Sequence, residues 1–179
     1  VHSVQAFYRD RTYFLYDDHQ NRTAALEVSR TGADFAFGYQ WLRFGDTYLR
    51  YRYEGDRSSA VYGITPSTEP IAIGSLAFLS TVDTRDREYF AHRGSLVTFS
   101  YEVASKSLGG NIEFRKLALS GQASLPLAKR HTMLVDFTAG LGSGQLPYQE
   151  LFGIGGADWL LGYPLLGYER REFVGSNTL

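Results

Sequence analysis

The side chains able to carry acid–base, nucleophilic or metal chemistry are few and poorly placed for it. Four histidines, His2, His19, His92 and His131, lie at or near the ends of alternating segments, and no spacing among them suits a metal site. They read as exposed turn residues, and no cofactor is expected. There is no Gly-x-Ser-x-Gly elbow to raise a serine nucleophile, so any lipase would lie upstream of Val1. His92 with Asp86 and Ser95 is the nearby trio of base, acid and hydroxyl, but closeness in a turn gives no catalytic geometry. Gly153-x-Gly155-Gly156 has Asp158 where a dinucleotide loop needs its third glycine, and Gly140-x-Gly142-x-Gly144 reads as a strand end relaxing into a loop. Asn21-Arg22-Thr23 has only the form of a glycosylation sequon. The chain is not expected to be an enzyme.

What remains is charge set against aromatic surface. Arg50, Arg52, Glu54, Glu102 and Asp136 each occupy the polar parity of a segment whose other parity is apolar. Arginine outnumbers lysine 15 to 3. A planar guanidinium holds carboxylates bidentately, which suits a wet interior laced with ion pairs; a GC-rich coding sequence gives the same bias.

The elements that would position these charges are strands. Ser95, Val97, Phe99, Tyr101 and Val103 alternate with Leu96, Thr98, Ser100, Glu102 and Ala104, and Met133, Val135, Phe137, Ala139 and Leu141 with Thr132, Asp136, Thr138 and Gly140. Thr47 to Glu54 sets Leu49, Tyr51 and Tyr53 against the charges, and Ala33 to Trp41 repeats the design with Phe35, Phe37, Tyr39 and Trp41. Val4 to Tyr16, Ile71 to Asp83 and Asn111 to Leu125 are less regular, the last switching its apolar parity near Lys116 as at a bulge. Thr23 to Trp41 reads as one long bulged strand whose parity flips at Thr31-Gly32, the alternative being two strands with a tight turn. Seven strands precede a long loop from Ser143 to Glu172, and an eighth starts near Phe173.

Composition agrees. A chain of 179 residues with 44% hydrophobic residues, no cysteine and a net charge of -1 makes one domain, 1–179, and neither a disulfide scaffold nor a basic nucleic-acid binder. Tyr (13), Phe (12) and Gly (19) favour strands and turns over a helix bundle. No apolar run approaches the roughly 18 residues of a membrane helix, and Val1 to Tyr8 do not have the charged-then-apolar layout of a signal peptide. A spanning strand needs only about 10 alternating residues, so a membrane remains open. Connections alternate between compact ones, at Leu42 to Asp46 and Pro126 to Arg130, and longer ones, at Gly55 to Pro70 and Ser143 to Glu172. That alternation, and an aromatic face too large to leave in water, favour an all-β antiparallel transmembrane barrel over a soluble barrel or sandwich. The absence of an initiator Met and an ending in mid-strand lead us to expect a piece of a larger protein.

Two segments go further. Asp83-Thr84-Arg85-Asp86-Arg87-Glu88-Tyr89-Phe90-Ala91-His92-Arg93-Gly94 resembles the aspartate-rich turn ending in Phe-Pro-x-x-Gly of the BamA/TamA family of outer-membrane barrels, the bacterial surface antigen superfamily, with Ala91 in place of proline. Leu146-Pro147 and Phe152-Gly153-Ile154-Gly155-Gly156-Ala157-Asp158-Trp159-Leu160-Leu161-Gly162-Tyr163 resembles that family's Gly-Gly element followed by Arg-Gly-Phe/Tyr at the tip of the long sixth extracellular loop. The resemblance covers Ile71 to Leu179; earlier residues share only the alternation.

It implies a barrel of about sixteen strands in a bacterial cell outer membrane, of which this chain supplies about eight, without the first and closing strands. It also implies assembly or export of polypeptides and contact with outer-membrane lipid and lipopolysaccharide; periplasmic POTRA repeats upstream would favour this reading, and a patatin domain the alternative. The site residues implied are Asp83, Asp86, Phe90, Arg93 and Gly94 in the periplasmic turn, and Gly155, Gly156, Leu161, Gly162 and Tyr163 in a loop entering the lumen. Leu161 stands where the family has the arginine thought to pair with barrel carboxylates, so that lock does not carry over. Barrels fused to patatin-type lipases vary at this position too, and such an autotransporter barrel is the alternative. A passive porin-like channel, with selectivity set by the lumen charges, and a barrel-embedded enzyme are the other classes.

Overall fold

The computed structural model describes residues 2–16, 21–41, 43–63, 68–128, 131–154, 168–170 and 172–178. Its strands are β1 (His2–Tyr16), β2 (Arg22–Gln40), β3 (Gly45–Tyr62), β4 (Ile71–Asp83), β5 (Gly94–Ala104), β6 (Phe114–Ala128), β7 (His131–Gly144), β8 (Phe152–Ile154), β9 (Tyr168–Arg170) and β10 (Glu172–Thr178). All but β8 and β9 form one sheet in the order β1-β2-β3-β4-β5-β6-β7-β10, antiparallel throughout. β8 and β9 pair with each other. No described helix is long and apolar enough to cross a membrane, which says nothing of strands.

Period-two alternation aligned by register gives the sheet two unlike faces. Phe37, Leu49, Phe78, Tyr101, Leu117 and Leu141 lie side by side across β2 to β7. On the other face the corresponding row is Ala36, Arg50, Ala77, Glu102, Lys116 and Gly142. The charged face is the concave one. Glu150 pairs at once with Arg30 on β2 and Lys116 on β6, strands that a flat sheet would hold about 19 Å apart. The sheet therefore curls into a half-barrel with this face inside.

The length of β3 and the places of two bulges differ from the sequence reading. β3 runs on to Tyr62, well past Glu54, because its second half pairs with β2 from Ala25 to Thr31. β2 is one strand, as expected, but its register is unbroken through Thr31 and Gly32, and the irregularities fall at Ala25/Leu26 opposite β3 and between Arg22 and Ala24 opposite β1. β6 likewise has no bulge at Lys116; its register shifts only between Pro126 and Ala128. Both parity switches have another cause: one end of the concave face is itself apolar. There Leu26 and Val28 cluster with Tyr13, and Phe114 with Ile73, Ala104 and Leu146.

Candidate functional site

The chain leaving β7 folds back onto the concave face. Gln145 N–H donates to the Glu113 carbonyl at 2.8 Å, and Pro147 opens a single 3-10 turn, Tyr148–Glu150, closed by Glu150 N–H on the Pro147 carbonyl at 2.9 Å. Proline suits the start of such a turn, since its fixed φ is already right and its missing N–H has no partner to lose. The turn fans three side chains across the sheet. Tyr148 meets Tyr13 of β1 edge-on with ring centroids 6.0 Å apart, an arrangement worth about 0.5–1.5 kcal/mol beyond its buried area. Gln149 Nε2 donates to Asp56 Oδ2 of β3 at 2.8 Å. Leu146 and Leu151 pack against Ile73, Ala104 and Phe114.

Glu150 completes the seat. The residue is 5% exposed, and its carboxylate accepts from Arg30 Nη2, from Arg52 Nη1 at 3.0 Å and from Lys116 Nζ at 3.2 Å. The two guanidiniums also hold the wall together. Arg52 donates to Glu54 at 3.0 Å and to Glu102 at 2.7 Å, while Arg30 pairs with Glu54 and lies 3.6 Å from Asp56. Ser75 Oγ donates to Glu102 at 2.5 Å. Burial alone would raise the Glu150 pKa, but the cations of Arg52, Lys116 and Arg30 outweigh it and hold the group at about 2. Three cations thus face four carboxylates, and the odd carboxylate is the one the loop brings in.

Of the charges singled out from sequence, Arg52, Glu54 and Glu102 meet in this cluster. Asp136 stands apart, accepting from Gln122 Nε2 at 3.0 Å, and Arg50 enters no ion pair among the described residues. Arg30, Asp56, Lys116, Gln149 and Glu150 were missed. Asp56 shares the parity of Arg52 and Glu54 and would have followed from a longer β3, whereas Arg30 was hidden by the parity flip expected at Thr31-Gly32 and Lys116 by the expected bulge. Nothing local marks Glu150, whose role depends on where the loop lands. Gly155, Gly156, Leu161, Gly162 and Tyr163 lie outside the described residues.

The turn between β4 and β5 is tightly organised. Asp83 takes two bonds from the Arg85 guanidinium, at 2.8 and 3.0 Å, and Asp86 accepts the backbone N–H of His92 at 2.9 Å and of Arg93 at 3.3 Å. Gly94 has φ 101°, and a Cβ there would strike the Thr84 carbonyl. Phe90, at φ 53° and 94% exposed, is held outward while Ala91, in the expected proline's place, is buried. The His92 ring bonds Thr132 Oγ1 at 2.7 Å, and the Ser95 hydroxyl lies 3.2 Å from that of Thr84. Asp86 meets the His92 backbone rather than its ring, so the trio is not assembled as a relay. Among the described residues no group of three His, Cys, Asp or Glu could hold a metal.

A charged concave wall, an apolar convex one and a loop seated inside describe a barrel with an occupied interior. The family model described as the Omp85 superfamily domain matches residues 2–177. The chain belongs to the Omp85 superfamily. No curated protein matches it. Omp85 domains are outer-membrane barrels of factors that insert or translocate polypeptides, a family that is not enzymatic, and the BamA/TamA-type motifs agree with that membership. In this Omp85 chain the described part of the loop supplies a carboxylate and the strands supply the cations.

Proposed function

We propose that this chain is the translocating part of an outer-membrane assembly or export factor, its convex face against lipid and its concave face lining a lumen that the loop after β7 occupies. Glu150 is the anchor of that loop. The observation carrying the reading is the seating of one buried loop carboxylate on Arg30, Arg52 and Lys116 from three strands. A loop fastened across the interior in this way suits a factor that must stay sealed until a polypeptide arrives. Leu161 cannot make the arginine lock of the family, and Glu150 supplies the ionic hold in its stead. On this reading Gly155, Gly156, Gly162 and Tyr163 continue the loop beyond the anchor, and Asp83, Asp86, Phe90, Arg93 and Gly94 shape a turn on the periplasmic rim. The substrate is an unfolded polypeptide.

The test is the full-length protein in planar bilayers and in proteoliposomes supplied with an unfolded outer-membrane protein. Glu150→Gln should insert normally, raise the open-channel probability several-fold, and lower the rate of substrate insertion. Conductance and insertion both unchanged would remove the seat from the mechanism.

A further inference from the structure

One hollow lies on the convex side, away from the seat, lined by Val103, Lys106, Glu113, Arg115, Ser143 and Gly144 among others. Register fixes its level. Val103, Arg115 and Ser143 are neighbours on β5, β6 and β7, two residues and so about 7 Å beyond Tyr101, Leu117 and Leu141 along the strands. The next convex rows back into the sheet are Phe99, Leu119 and Ala139, then Val97, Gly121 and Phe137. Every member is apolar or lacks a side chain. Arg115 is the first charge these three strands present beyond the belt.

Lys106 reaches the same hollow from the β5–β6 connection, which is pinned rather than loose. Ser105 N–H donates to the Gly74 carbonyl at 3.1 Å, Asn111 N–H to the Ala72 carbonyl at 2.8 Å, Ala72 N–H to Asn111 Oδ1 at 2.9 Å, and the Tyr51 hydroxyl to the Leu108 carbonyl at 2.9 Å. Neither Lys106 nor Arg115 takes part in any ion pair among the described residues. The carboxylate at the mouth is Glu113, exposed and opposed to anion binding.

We propose that this hollow binds the phosphate group of a membrane lipid, with Arg115 and Lys106 as charge-assisted donors and the Ser143 hydroxyl as a third. The assignment rests on the convex face meeting lipid. A guanidinium and an ammonium left unpaired just past an apolar belt stand at the depth of lipid phosphates, and guanidinium presents a fork that matches phosphate oxygens. Snorkelling of a single arginine would explain Arg115 alone. It does not explain a lysine brought beside it by a loop tied down by four hydrogen bonds.

The experiment titrates the purified full-length protein in neutral detergent micelles with bisphosphorylated lipid A, with phosphatidylcholine and with inorganic phosphate, and counts retained lipid by native mass spectrometry. The wild type should retain lipid A at least about tenfold more tightly than phosphatidylcholine, corresponding to about 1.4 kcal/mol. The double variant Lys106→Gln/Arg115→Gln should lose that preference, and Glu113→Gln should strengthen it roughly two- to threefold. A preference untouched in the double variant overturns the site, and so does displacement of the lipid by an equal concentration of inorganic phosphate, which would make it a free-anion site. Heat-modifiable electrophoretic mobility reads the barrel separately: a folded wild type without the preference defeats only the lipid site, whereas a wild type that never folds in micelles defeats the membrane reading as well.

Discussion

Arg52 touches three carboxylates, Glu54, Glu102 and Glu150, as Arg30 touches Glu54, Asp56 and Glu150, so the loss of either guanidinium strands buried charge. Removing one partner of a buried ion pair costs about 3–5 kcal/mol, because the other is left desolvated and unpaired. Arg52→Met should therefore lower stability to urea in lipid vesicles by about that much, whereas Glu150→Gln, which leaves three cations facing three carboxylates on the wall, should cost much less. Equal losses would mean that the wall needs the loop charge to fold. The pH dependence of the loop follows from the depressed Glu150 pKa. Its contribution is fully present above the ordinary value of 4.5 and is lost as pH falls through about 2. Channel closure should accordingly be flat from pH 8 down to about 5, and opening near pH 6 would contradict the assignment.

At the scale of the strands, the account stands on which parity meets hydrocarbon. Phe99 packs edge-on against Phe78 at 6.1 Å on the convex face, and Phe137 shares that face, while Ser100 and Thr138 lie on the concave one. Arginine at the lipid midplane costs about 2–4 kcal/mol in a barrel, and much less facing a wet lumen. Phe99→Arg and Phe137→Arg should abolish insertion measured by heat-modifiable mobility, with Ser100→Arg and Thr138→Arg tolerated; like effects at both parities would refute the assignment. The strands were legible because a half-buried strand writes its burial into alternate residues. Leu49, Tyr51 and Tyr53 against Arg50, Arg52 and Glu54 is a pattern no helix period imitates. The alternation misled where the interior turns apolar, at Leu26, Val28 and Phe114. There inside and outside carry the same residue types, so a parity switch looked like a bulge.

For the whole molecule, what sequence could not show was the fold-back of the chain after β7. Glu150 follows Leu146-Pro147 by only a few positions, yet its partners lie on β2, β3 and β6 and are set by the curvature of the sheet. The missing loop arginine at Leu161 was visible; that a carboxylate earlier in the same loop binds arginines on the wall was not. Seating this loop inside a curved, lipid-facing sheet is the claim on which the channel and insertion phenotypes depend. The chain has no cysteine, so paired cysteines report position without background. The direct measurement is thiol cross-linking of the membrane-inserted protein with a short bifunctional reagent, comparing Gln149→Cys/Asp56→Cys with Gln149→Cys/Tyr53→Cys, Asp56 and Tyr53 being on opposite faces of β3. Efficient cross-linking of the first pair together with arrest of polypeptide insertion, and none of the second, is the predicted result. Cross-linking to Tyr53→Cys, or to neither, would put the loop outside the barrel and contradict the account.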